Sequence, residues 1–119
     1  MYEIIFYEDK NGYSEVGSLL HELDQKSQKN KNERINFNKI VAYIDKLQEK
    51  GTRVGEPVTK HLEGEIWELR PLKNRILYAY YKDNSFVLLT YFVKKTKKTP
   101  TYELDRAKRC LMEYMERNK

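Results

Sequence analysis

Apolar residues first gather at positions 2–7, where Ile4, Ile5 and Phe6 lie between tyrosines and a turn-forming run, Glu8 to Gly12, follows; this predicts a short strand. From Ser14 the period changes, and Val16, Leu19, Leu20 and Leu23 fall at helical spacing. The polar stretch Gln25 to Asn32 reads as a loop. A second helix is expected from about Glu33, with Phe37, Ile40, Val41, Ile44 and Leu47 on one stripe and Gly51 as its C-terminal cap. Two helices joined by a polar linker predict an αα-hairpin.

Beyond Gly51 the helical stripe is lost. Residues 53–62 read as an irregular connection, and Glu65 to Arg70, Arg75 to Tyr81 and Phe86 to Val93 as three successive strands. The connections Pro71 to Asn74 and Lys82 to Ser85 suit hairpin loops, so the strands form an antiparallel meander. The third strand is nearly all apolar and belongs inside the sheet. A last helix begins at Thr99-Pro100, with Thr as N-cap, Pro in the first turn, and Leu104, Ala107, Leu111 and Met115 on its buried face. The order β-α-α-β-β-β-α, without repeats or linker-like segments, predicts one α+β domain over residues 1–119.

Composition refines this outline. The chain has 119 residues, 39% hydrophobic and 34% charged, so the core is modest and the ten tyrosines contribute to it with their hydroxyls in polar surroundings. Cys110 is the single cysteine, which leaves no intramolecular disulfide; with His21 and His61 it forms no zinc set of ordinary composition. Acidic residues near the N-terminus and the shortness of its apolar run argue against a signal peptide or membrane span, and the expected location is cytoplasmic.

The net charge is +5, and the segment from Lys60 to Lys98 carries all of it, with nine Lys/Arg against four Asp/Glu. A basic segment on an otherwise neutral domain is the footprint of a polyanion partner, although a solvated basic face gives the same count.

The hairpin around residues 71–74 sharpens the first reading. Its alternation places Trp67, Leu69, Ile76 and Tyr78 on a core face, and Glu68, Arg70 and Arg75 on the other. Arginines facing one another across a strand pair repel, which points to a bound phosphate; the alternative is a surface salt-bridge cluster centred on Glu68. Four lysines in the run Lys94-Lys95-Thr96-Lys97-Lys98 can track a nucleic-acid backbone or simply face solvent. Trp67 and Cys110 read as packing residues, and His61 as structural.

The segments Lys60-His61-Leu62-Glu63-Gly64-Glu65-Ile66-Trp67-Glu68-Leu69-Arg70, Arg75-Ile76-Leu77-Tyr78 and Phe92-Val93-Lys94-Lys95-Thr96-Lys97-Lys98-Thr99-Pro100, followed by Glu103 and Ala107, resemble the HigB branch of the RelE/ParE toxin superfamily over about residues 56–108. The resemblance implies a toxin of a type II toxin–antitoxin system. Such a toxin enters the 70S ribosome and cuts mRNA through attack of a 2′-hydroxyl on the adjacent phosphate, without metal or cofactor. It implies Arg70 and Arg75 at the scissile phosphate and Lys95, or else Lys94, as the basic position after the last strand. Glu68 or a lysine is implied as proton acceptor, and Tyr102 or Tyr91 matches a C-terminal tyrosine of the family. Lys60, Lys73, Lys94, Lys97 and Lys98 are expected along the RNA, and a helix-turn-helix antitoxin encoded alongside is the expected partner. The chain lacks the C-terminal histidine of some relatives. A ParE-type gyrase poison and a non-catalytic RNA-binding module are the competing readings.

Overall fold

The structure is a computed structural model that describes all residues from 1 to 119. Strand β1 (Glu3–Phe6) leads into helices α1 (Glu15–Ser27) and α2 (Lys31–Lys50), and a single 3-10 turn follows at Gly51–Val54. Strands β2 (Thr59–Glu63), β3 (Ile66–Leu69), β4 (Asn74–Tyr81) and β5 (Ser85–Val93) come next, and helix α3 (Thr101–Arg117) ends the chain. Both helices of the hairpin are capped from the side chain, as the Ser14 hydroxyl accepts from the Gly17 amide and Asn30 Oδ1 from the Glu33 amide. The expected loop at 25–32 is therefore only Gln28 to Asn30. Gln25, Lys26, Lys31 and Asn32 are helical, and being exposed they leave no apolar trace of the helix they belong to.

The sheet has five strands in the order β1-β5-β4-β3-β2, with β1 parallel to β5 and all other pairs antiparallel. The meander thus has four strands where three are predicted. Strand β2 lies in the segment expected to be irregular: it is an edge strand whose Lys60, His61 and Glu63 are exposed, so its apolar alternation is too weak to read. The β3–β4 register is the predicted one, with Trp67 opposite Tyr78 and Glu68 opposite Leu77. Apolar β5 is indeed interior to the sheet.

Helices cover both faces. Val16, Leu23, Ile40, Ile44 and Leu47 of the hairpin pack on Leu69, Ile76, Tyr78 and Leu88, with Trp67 against this cluster. Ala107 and Leu111 of α3 pack on Ile66, Leu77, Ala79, Val87 and Leu89 of the opposite face. The α+β architecture, with two N-terminal helices and one C-terminal helix on an antiparallel-rich sheet, is as predicted. Two details of α3 differ. It begins after Pro100, and no side chain caps it, because the N-cap position falls on Pro100, which has no side-chain acceptor, one residue beyond Thr99. Met115 is exposed, and Cys110 and Tyr114 join the packing in its place. None of the helices is long and apolar enough to cross a membrane.

A polar clamp joins the layers. Glu15, in the first turn of α1, forms a bidentate pair with Arg106 of α3 at 2.6 and 3.0 Å. The Tyr91 amide donates to Glu15 Oε1, and Arg106 donates to the Tyr91 carbonyl. Glu103 also accepts from Arg106. The Glu15 hydrogen bond holds the Arg106 guanidinium well above its ordinary pKa, against the opposing effect of burial.

Two tests follow from this framework. Gly51 caps α2 with φ 64° and ψ −156°, a region essentially restricted to glycine, and a Cβ there meets the Tyr2 ring at 2.8 Å. Gly51→Ala should lower unfolding free energy by about 2–3 kcal/mol in urea denaturation. The second test concerns Tyr78, whose phenol burial pushes from 10.0 to about 12. The folded state holds this proton more tightly than the unfolded chain, so the stability this proton contributes is fully present below the unfolded pKa and is lost as pH rises from about 10 to 12. Denaturation curves across that range should show a shallower decline for Tyr78→Phe.

Candidate RNA-binding and cleavage site

The β3–β4 hairpin, the β2 edge and the 94–100 segment leading into α3 converge on the α3 side of the sheet. Between them is a cleft of about 340 Å³. Lys60, His61, Leu62 and Glu63 line it from β2, Glu68 and Arg70 from β3 and its exit, Lys97 to Thr99 from the loop, and Leu104 from α3. A narrow fissure continues from Glu68 to Arg75 and Phe92 beneath the lysines.

Glu68 is the centre of the charge arrangement. Its residue is buried, and Oε2 accepts a 2.6 Å hydrogen bond from Thr99. Oε1 faces Arg70 Nε at 3.6 Å and Arg75 Nε at 3.8 Å, ion-pair distances too long for hydrogen bonds. The repulsion between the arginines is therefore offset by one carboxylate, as the salt-bridge alternative expects, but in a buried setting rather than on the surface. Glu56 also faces Arg70, so the two guanidinium groups meet two carboxylates, and the surplus positive charge of the cleft comes from Lys60, Lys97 and Lys98, while Glu63 pairs with Lys108.

The two arginines are not equivalent. Arg70 follows the last β3 residue; its amide donates to Val58 O, and its guanidinium reaches Glu56 at 3.5 Å with 24% of the side chain exposed. Arg75 is buried, and its Nη1 donates to the Leu72 and Asn74 carbonyls at 2.9 and 2.7 Å. Burial pushes the Arg75 guanidinium below its ordinary pKa; Glu68 opposes that shift and Arg70 adds to it. Arg70, held between Glu56 and Glu68, keeps an exposed edge at the cleft, whereas Arg75 is enclosed beneath Glu68.

Other predicted site residues are distributed around this centre. Lys60, Lys97 and Lys98 line the cleft itself. Lys94 lines the fissure, and its amide donates to the Lys73 carbonyl at 2.7 Å. Lys95 and Tyr102 line a neighbouring pocket of about 540 Å³ with Phe92, Val93, Thr96, Pro100 and Glu103; Tyr102 is 68% exposed. Tyr91 and Lys73 fall outside the cluster. Tyr91 pairs with Ile76 and so faces the α1–α2 layer, where its hydroxyl donates to Asn74 Oδ1 at 3.3 Å. Lys73 shares the groove beside it with Asn32, Asn36 and Leu72.

His61 lies on the cleft wall, with Nε2 at 2.8 Å from the Gly64 carbonyl and its ring edge-on to Trp67. Cys110 is half-buried, and burial pushes its thiol up. No three His, Cys, Asp or Glu side chains converge in the chain, and the lining of the cleft carries the Arg70 guanidinium and the Lys60, Lys97 and Lys98 ammonium groups. Sequence reading missed Thr99 as a site residue, because a threonine ahead of a helix reads as a cap. Its bond to Glu68, 31 positions away, has no local signature.

Residues 18–112 match the family model described as phage-derived protein Gp49-like. No curated protein matches the chain.

The unequal burial of the arginines predicts unequal costs. Arg75→Ala should destabilise the domain by about 3 kcal/mol, since it removes a buried side chain and strips the Leu72 and Asn74 carbonyls of their donor, losses that Arg70 does not share. Arg70→Ala should cost about 1 kcal/mol or less, because that side chain retains solvent. Thermal melts of both variants beside the parent check the order, and equal losses would refute the distinction.

Proposed function

The chain belongs to the phage-derived Gp49-like family, a family of RelE-like toxins, and on that premise we propose that it is a HigB-type, ribosome-dependent mRNA endonuclease. The observation that carries the reading is the Arg70–Glu68–Arg75 cluster at the floor of a cleft walled by Lys60, Lys97 and Lys98. Polyanion binding, transition-state charge stabilisation and a proton acceptor are the three needs of RNA cleavage by internal attack, and this cluster supplies chemistry for each.

In the reaction, the 2′-oxygen bonds to phosphorus while the bond from phosphorus to the 5′-oxygen breaks, giving a cyclic phosphate and a 5′-hydroxyl. Negative charge grows on the non-bridging oxygens, and Arg70 stabilises it electrostatically from its partly exposed position. Glu68 Oε1, left without a hydrogen bond, accepts the 2′-hydroxyl proton. The leaving 5′-oxygen takes a proton from the surrounding ammonium groups or solvent. Lys94, Lys95, Lys97 and Lys98 follow the flanking backbone, and Tyr102 beside Lys95 offers a ring to a neighbouring base. A cognate antitoxin of the helix-turn-helix type restrains the activity in the cell.

Two measurements test this reading. With purified ribosomes and primer extension, Arg70→Ala should cut mRNA on the order of 100- to 1000-fold more slowly while melting near the parent temperature. Normal melting with the parent rate would remove Arg70 from the mechanism, and inhibition of gyrase supercoiling without RNA cleavage would replace the endonuclease reading. Separately, Lys97→Ala/Lys98→Ala should reduce the slope of log affinity for RNA against log salt by about 1 to 2 units; an unchanged slope would assign those charges to solvent.

A further inference from the structure

We propose that Thr99 is a positioning residue for the Glu68 carboxylate and, through the same hydrogen bond, the tie that holds the lysine loop over the cleft; this rests on the endonuclease reading above. The first observation is that the Thr99 hydroxyl is the single hydrogen-bond donor to the Glu68 side chain, at 2.6 Å. The arginine contacts at 3.6 and 3.8 Å attract the carboxylate without fixing its plane. The last torsion of a glutamate is broad and nearly two-fold, so without a short directional bond the two oxygens exchange places readily. Thr99 selects Oε2 and leaves Oε1 between the guanidinium groups.

A second, independent observation concerns where the Thr99 hydroxyl is directed. Thr99 lies one residue before Pro100, the N-cap of α3, so its hydroxyl serves no turn of the helix. Here α3 has no side-chain cap, and the hydroxyl is directed across the sheet face to β3. The loop also depends on it. The Lys94 amide is fixed to the Lys73 carbonyl, and Thr96 bonds internally to the Lys98 carbonyl. Between Lys94 and α3, Thr99–Glu68 is the hydrogen bond that joins the loop to the sheet. Lys95, Lys97 and Lys98 are therefore held at a fixed height relative to the carboxylate that takes the proton, so phosphate binding and proton acceptance share one anchor.

The isosteric Thr99→Val variant tests this, with Thr99→Ser as its rescue, each assayed on ribosomes under single-turnover conditions. A carboxylate displaced by about 1 Å should lower the saturating cleavage rate by about 100-fold. The ribosome concentration giving half that rate should rise as well, because the loop carrying Lys95, Lys97 and Lys98 loses its tie to the sheet, and Thr99→Ser should recover most of both. A merely structural threonine gives another pattern: a lower melting temperature for Thr99→Val, with cleavage per folded molecule at the parent value, and this overturns the proposal. Parent-like cleavage by a well-folded Thr99→Val protein removes Thr99 while leaving the endonuclease reading intact. A parent protein that cuts no mRNA on ribosomes overturns both. Should Thr99→Val not fold, Thr99→Ala, which also lacks a donor, poses the same question.

Discussion

The open flank of β5 is the constraint on which the rest of the structure depends. β1 is four residues long and pairs with β5 only from Ser85 to Leu88, whereas β5 continues to Val93. The Tyr91 amide and carbonyl lie beyond that pairing, and unpaired backbone groups under two packed layers are costly. Glu15 and Arg106 take the place of the missing strand: one accepts from the amide, the other donates to the carbonyl, and they bind each other. One comes from the helix layer on one face and the other from the helix on the opposite face. Closing a sheet edge thus also fixes where α3 starts relative to α1.

That placement governs the cleft. The segment between β5 and α3 is short, so anchoring α3 by Arg106 determines where the lysines and Thr99 hang relative to β3. The cleft then forms between a rigid hairpin and a loop restrained at both ends. Its cations are crowded, which costs folding free energy, and one buried carboxylate between two arginines limits that cost without cancelling the charge. The surplus positive charge remains directed at the opening, where Arg70 retains access to solvent and Arg75 does not.

What the sequence reveals depends on whether a signal is local and periodic. The helical stripes, Gly51 as cap and the β3–β4 register are legible because each rests on a repeat or a turn within a few residues. Strand β2 is hidden because an edge strand lined with Lys60, His61 and Glu63 has little apolar alternation. The arginine pair and the lysine run are readable as charge, but the burial of Arg75 and the anchoring of Thr99 are tertiary facts. Tyr91 shows the same limit. Its residue type matches an expected role, yet a shift of register between Leu77 and Tyr78 in the β4–β5 ladder and the pairing with Ile76 settle its face, which is the one turned from Glu68. A residue match along the chain carries no information about the side of the sheet.

The long β4–β5 ladder has a further consequence. At one end Asn74 pairs with Val93 beside the lysine loop, and at the other Tyr81 pairs with Ser85. Asp83 and Asn84 close that far end, both with φ 61°, a left-handed conformation that Asp and Asn tolerate better than most residues. Along β4 the two ends are separated by about 25 Å, and Lys82 to Asn84 are exposed. The domain therefore has a polar working end and a remote turn on the same rigid ladder. A fluorophore or affinity handle attached at that turn moves with the cleft as one body while leaving its cations untouched, which makes it a natural place from which to watch the protein dock.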